Sequence, residues 1–265
     1  MRPYVSLFRI RFINGLQYRA AALAGLSTQF AWGFMNILAF SAFYRANPAA
    51  FPMAFPHLVS YIWIQQAFLA LFAPWGTGGK AVETIVNGNI SYDLVRPMDL
   101  YNRWFIETIG DRVSRAALRC VPILLVAFIL PEPFRMTLPP DMRQFALFLV
   151  SVPLSMCVVT VFMMLDTIFT FYTMSRYNAI FIFTAEFLAG GILPIPFFPE
   201  PFRTIAELLP FGSMQNVPLR IYSGDLAGMD ALKAIALQAF WLAAMLLLGK
   251  LLMKHSLKRV IAQGG

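Results

Sequence analysis

The sequence predicts an all-α integral membrane protein with six transmembrane helices, an N-terminal interfacial amphipathic helix and a re-entrant outer hairpin before the last span. Bulk composition is the first observation behind it. Apolar residues make up 59% of the 265-residue chain and charged residues 13%, where a soluble domain carries roughly a quarter charged. Mean hydropathy is +0.66. The second observation is that the apolar residues gather into runs of about 20, the length a helix needs to cross a bilayer. The third is a strong sidedness of Lys and Arg between those runs.

In chain order, Val5, Phe8, Phe12 and Leu16 recur at helical spacing, with Arg9, Arg11, Asn14 and Gln17 on the remaining arc. Residues 1–19 therefore read as an interfacial helix on the inner leaflet. The expected spans are 20–44, 57–75, 115–130, 144–172, 178–195 and 231–252. The third is short: its uncharged run after Arg119 covers only 120–130, about 16 Å of helix. That helix is expected to begin near Asn102, with Arg112, Arg115 and Arg119 as an inner-leaflet cationic stripe that snorkels through the headgroup layer. Asp111 stands four residues ahead of Arg115, the spacing of a helical ion pair.

An even number of spans puts both ends of the chain on one side. Residues before the first span, 76–119, the 172–178 turn and the C-terminal end carry fifteen Lys and Arg; the opposite side carries six. Both termini, and the 76–112 region, are expected to be cytoplasmic, and 190–229 extracytoplasmic. The net charge of +8 is mostly this bias, which argues against a nucleic-acid partner. Cys120 and Cys157 fall inside spans and read as buried hydrophobes. The first apolar run is too long for the h-region of a cleaved signal peptide. Residues 1–265 are expected to form one transmembrane domain with no internal repeat.

Gly190-Gly-Ile-Leu-Pro-Ile-Pro-Phe-Phe-Pro-Glu-Pro-Phe-Arg-Thr-Ile-Ala-Glu-Leu-Leu-Pro-Phe-Gly212 alternates helix breakers with apolar residues. No straight helix runs through it. Its apolarity predicts a re-entrant hairpin covered by protein, with 202–209 as a short helical arm.

Chemistry-bearing motifs are few. Gly76-Thr-Gly-Gly-Lys-Ala81 lacks the leading Gly and following Ser/Thr of an ATP-binding phosphate loop, because Pro74 and Ala81 occupy those positions. His57 and His255 have no ligand-spaced partner, so no metal site is expected. Asp166 and Glu186 are acids inside spans, each about two turns from the inner end. They serve either helix contacts or a proton or cation path.

The stretch between spans two and three is polar and punctuated by turns. Residues 80–87 predict a short helix including Glu83 and Asn87, which Gly88 ends in the left-handed conformation. Ile90, Leu94 and Val95 then stand as apolar anchors among Asn89, Asp93, Arg96 and Asp99, and Pro97 forces a bend. The predicted result is a compact knob suited to touching another protein.

Asn-Gly-Asn-Ile-Ser-Tyr-Asp-Leu-Val-Arg-Pro-Met-Asp at 87–99, Gly190-Gly-Ile-Leu-Pro-Ile and Leu209-Pro-Phe resemble the membrane subunits of bacterial ABC-2 type transporters, over nearly the whole chain. The resemblance implies a permease of the bacterial inner membrane with no ATPase of its own. It would pair with a second permease chain, a copy of itself or a sister, and with separate nucleotide-binding ATPase subunits. ATP and Mg²⁺ would bind those partners and no cofactor this chain. The segment holding Glu83, Asn87, Gly88, Asn89, Ile90, Asp93, Leu94, Arg96 and Pro97 would be the ATPase-coupling contact, and export the usual direction. The alternative from another class is an ATP-independent channel or proton-coupled transporter using Asp166 and Glu186.

Overall fold

The computed structural model describes residues 2–76, 78–174 and 179–259. Arg176, counted in the charge bias, and Asn178, expected to open the fifth span, lie outside the described residues. Twelve α-helices and three 3₁₀ turns, with no strand, occur among those described. They are α1 (Arg2–Leu16), α2 (Arg19–Ala46), α3 (Phe55–Ala67), α4 (Leu69–Phe72), α5 (Gly79–Val86), α6 (Ile90–Leu94) and α7 (Leu100–Ile129). Then come α8 (Met142–Thr173), α9 (Ala179–Leu188), α10 (Phe202–Leu208), α11 (Asn216–Ser223) and α12 (Gly228–Ser256).

Helices α8 and α12 are long and apolar enough to cross a membrane, about 48 and 44 Å at 1.5 Å per residue. Outward faces repeat the message. On α12, Phe240, Leu247, Leu248 and Leu251 are exposed, as are Leu23, Trp32, Met35 and Leu38 on α2. Such continuous apolar rows require an apolar solvent.

Two expected spans take a different form. Residues 57–75 do not make one helix: the chain breaks at Phe68 (φ −105°, ψ 16°) between α3 and α4. The break follows from burial, because α3 is enclosed from Leu58 to Ala67 and neighbours can satisfy the freed carbonyls. Of the fifth span, only Ala179–Leu188 is helical among the described residues, about 15 Å and half of a bilayer core. Gly190, at φ 81°, turns the chain away.

After that turn the chain follows the predicted broken course, with α10 at the expected helical arm. The sequence reading missed α11. All eight of its residues are buried, in contact with α3, α8 and α12. Its polar residues Asn216, Arg220 and Ser223 are buried along with its apolar ones, so composition alone does not place the segment inside the protein.

The largest core cluster joins Ile37 of α2, Tyr61, Ile62 and Trp63 of α3, Ile123 of α7, Phe148 of α8 and Ile221 of α11. Polar links fix the packing. Gln238 of α12 donates to Ser155 Oγ at 2.7 Å and to the Ser213 carbonyl at 3.1 Å, and accepts from Ser151 at 2.8 Å. In hydrocarbon these groups find no water, so they bind each other. Helix α1 crosses α7 where side chains are smallest: a Cβ on Gly110 would stand 2.9 Å from the Arg11 Cβ, and one on Gly15 would strike the Ser114 hydroxyl.

Replacing Gln238 by Leu keeps the volume and removes the α8–α12 link. Loss on the order of 1 kcal/mol is expected, read as a fall in Tm of about 2–4 °C; an unchanged or higher Tm would show that the bonds contribute nothing to packing.

Candidate functional site

Helices α5 and α6 form the knob between the second and third apolar segments. Gly78 stands at the N-cap of α5 with φ 83°. Gly88, at φ 73°, ends the turn after α5 as the sequence predicts; a β-branched residue would be penalised in that left-handed conformation. The apolar face of α5–α6 points inward. Ile85 and Ile90 are buried with Leu100, Tyr101 and Trp104 of α7, Met164 and Ile168 of α8, and Met253 of α12.

Ile90 is thus not an outward anchor, as its position among polar residues suggested. It holds the knob to its own chain. Asp93 is likewise turned inward, pairing with Arg103 of α7 at 2.7 Å, with side-chain exposures of only 15% and 6%. Arg103 also lies 3.9 Å from Glu107, and Glu107 pairs with Arg11 of α1 at 2.9 Å. Asp99 opens α7, its carboxylate accepting from the Asn102 amide at 2.8 Å, the N-cap bond that satisfies a first-turn donor. The knob, α7 and α1 are joined through one chain of alternating charges.

The outward face holds Glu83, Asn87, Asn89, Leu94, Arg96 and Pro97 of the predicted contact, all exposed. Tyr92 at 72% and Val95 at 82% are more exposed than any of the neighbouring apolar positions. Tyr92 is not among the contact residues expected from the sequence; the inward turn of Ile90 and Asp93 leaves it outward. An aromatic, an aliphatic pair and an Arg on one small rigid surface have the composition of a protein-binding hot spot.

The arginine stripe divides. Arg112 is fully buried and does not reach the headgroup layer. Its Nη1 donates to the carbonyls of Ala70, Leu71 and Ala73 at 3.0–3.1 Å, satisfying the acceptors that the end of α4 leaves open. Arg115 donates to the Gly76 carbonyl at 2.8 Å, not to Asp111: the expected ion pair four residues apart is not among those formed. Arg119 donates to the Ala21 carbonyl of α2 at 3.4 Å. Three cations in a row thus hold three separate backbone segments.

The two intramembrane acids have different surroundings. Glu186 of α9 accepts from the Gln215 amide at 3.5 Å through Oε1, and its Oε2 is buried with no hydrogen-bond partner among the described residues. Gln215 also meets Gln65, whose amide donates to the Gly191 carbonyl at 3.0 Å. Asp166 is 8% exposed on the buried side of α8, beside Thr167 and one turn from Met163. Among the described residues no group of three or more His, Cys, Asp or Glu could hold a metal ion, and Cys120 and Cys157 are free thiols.

Residues 30–264 match the family described as ABC-2 family transporter protein. The chain belongs to that family. As an ABC-2 family member it is a membrane-embedded subunit of an ABC transporter, the transporter type whose membrane subunits work with ATP-binding partners. Comparison with curated proteins gives no match.

The charge chain makes a local prediction. In Arg103→Gln, Asp93 and Glu107 lose their shared cation in a largely desolvated place, a change that costs about 3 kcal/mol or more when a buried pair is broken. Amide hydrogen exchange across 85–95 should quicken about 100-fold, since ~1.4 kcal/mol is a factor of ten. Unchanged exchange would mean that apolar packing alone holds the knob.

Proposed function

We propose that the chain is the permease of an exporter in the bacterial inner membrane, coupled to separate ATPase subunits through the outward face of α5–α6. The observation carrying this reading is the division of the knob into two faces. One face, Ile85, Ile90 and Asp93, is locked to α7, α8 and α12; the other, Tyr92, Leu94, Val95 and Arg96, is left to solvent on a rigid support. A surface that must transmit force needs both, firm attachment on one side and adhesive residues on the other.

In this reading both termini lie in the cytoplasm, and 190–229 forms the re-entrant outer region. The complete burial of α11 supports the latter, since non-spanning backbone at membrane depth must be covered by protein. Two ATPase subunits bind ATP with Mg²⁺ and draw together. Their closure pushes on α5–α6, and the Asp93–Arg103 pair passes the push to α7. A second permease chain supplies the other wall of the pathway, so that tilting α7 alternates its access. Glu186, which accepts from Gln215, fits a helix-contact role in this scheme, which the proton-relay alternative does not require.

Val95→Glu and Tyr92→Ala alter only exposed side chains, so folding and insertion should be retained. Losing one such anchor at ~2 kcal/mol lowers affinity roughly 30-fold. The ATPase subunits that co-purify with the unmodified chain from its native membrane should be depleted accordingly, and ATP-driven transport lost. Normal co-purification and normal transport in both variants would exclude this face as the contact.

A further inference from the structure

Between the end of α1, the start of α2 and the middle of α7 lies a cavity of about 660 Å³ lined by Arg11, Lys80, Arg115 and Arg119, with Asp111 its one acid. That volume lies within the usual range for small-molecule sites, about 300–1,000 Å³. Of the four cations only Arg11 has a carboxylate partner, Glu107. No ion pair reaches Lys80, Arg115 or Arg119 among the described residues. Arg115 and Arg119 each donate to one backbone carbonyl, Gly76 and Ala21, which leaves guanidinium donors over. Nε of Arg119 is buried with no hydrogen-bond partner among the described residues.

Converging cations repel one another, and buried donors without acceptors cost free energy. The repulsion is relieved if an anion enters, and its several oxygens can accept from the guanidinium donors that the Gly76 and Ala21 carbonyls leave over. Phosphate is the best match, because its oxygens fit the planar guanidinium fork while Lys80 supplies a point charge. Simple snorkelling does not describe this arrangement. Arg119 lies back against α2, where a Cβ on Gly25 would collide with its guanidinium, and so closes the cavity wall instead of reaching outward.

We infer that this cavity is a binding site for the phosphate of an anionic headgroup taken from the inner leaflet. The leaflet follows from the cytoplasmic placement of α1 proposed above; the phosphate chemistry does not depend on it. A bound headgroup bridges α1, α2, α7 and, through Lys80, the coupling helix α5. Lipid composition thereby acts on the element that meets the ATPase.

The test uses the full chain purified in neutral detergent, without any ATPase, so that a failed partner assignment cannot imitate a failed lipid site. Native mass spectrometry is run with added phosphatidylglycerol or phosphatidylcholine, and with glycerol 3-phosphate as the soluble arm. The chain should retain one phosphatidylglycerol at least tenfold over phosphatidylcholine, and millimolar glycerol 3-phosphate should not displace it. Lys80→Gln/Arg119→Gln should abolish the preference. The single variant Lys80→Gln, at an exposed position where folding is not at stake, should reduce it several-fold. Lys233→Gln, altering a distant exposed cation paired with Asp230, should leave it intact. Equal retention of both lipids, or an undiminished preference in the double variant, overturns the site. Binding of glycerol 3-phosphate with no advantage for phosphatidylglycerol would reassign it to a soluble phosphate ester and overturn the headgroup assignment.

Discussion

Arg103 is the side chain on which the packing of α1, α6 and the start of α7 depends. At 5% exposure it stands between Asp93 of α6, at 2.7 Å, and Glu107 one turn along α7, while Glu107 reaches Arg11 of α1. Burying one such charge is costly, and the cost is offset only by geometry and by several partners acting together. Once the partners are in place, however, separating any of the three elements exposes unpaired charge at low dielectric. The close contact of Arg103 is from Nη2 to Asp93; Nε stands 3.9 Å from Glu107, an electrostatic and not a hydrogen-bonded contact, and Nε and Nη1 have no hydrogen-bond partner among the described residues. This tie makes α6, the first turns of α7 and α1 a single mechanical body.

The next two turns of α7 extend the same logic to backbone. A helix ending inside a low-dielectric region leaves carbonyls that water cannot reach. Arg112 fills that need at the end of α4, and Arg115 holds Gly76 just beyond it. Together they clamp the chain immediately before α5, as Arg103 clamps it at α6. Both ends of the knob are therefore fastened to one helix, and its Tyr92–Arg96 surface is left largely exposed. Elsewhere the same solvent constraint is met by the Gln238 network and by the enclosure of α11.

Much of this was legible in the sequence. Local rules about Gly and Pro foretold the end of α5, the left-handed Gly88 and the short α10, and the shortness of the uncharged run 120–130 foretold the early start of α7. Apolar runs placed α2, α8 and α12. What escaped was decided by tertiary contacts. The break at Phe68 and the burial of α11 depend on neighbours that one stretch of chain cannot report. Ile90 and Asp93 looked like partner-facing residues because polar surroundings in sequence suggest exposure; the structure turns them inward to Trp104 and Arg103. Arg112 looked like a headgroup anchor for the same reason, since carbonyls some forty residues away are invisible to periodicity. Tyr92 became visible as a surface residue only once the face of α6 was known.

If α1, α6 and the start of α7 form one body, nucleotide should move that body without deforming it. Spin labels at Val5, Val95 and Met229, all exposed, report this by pulsed electron–electron distance measurements on the complex with its ATPase subunits, nucleotide-free and ATP-trapped. The account predicts that the Val5–Val95 distance stays the same in both states, while the Val95–Met229 distance to the far end of α12 changes. A Val5–Val95 distance that shifts with nucleotide would contradict it, because the knob would then be moving independently of the helices to which Arg103 ties it.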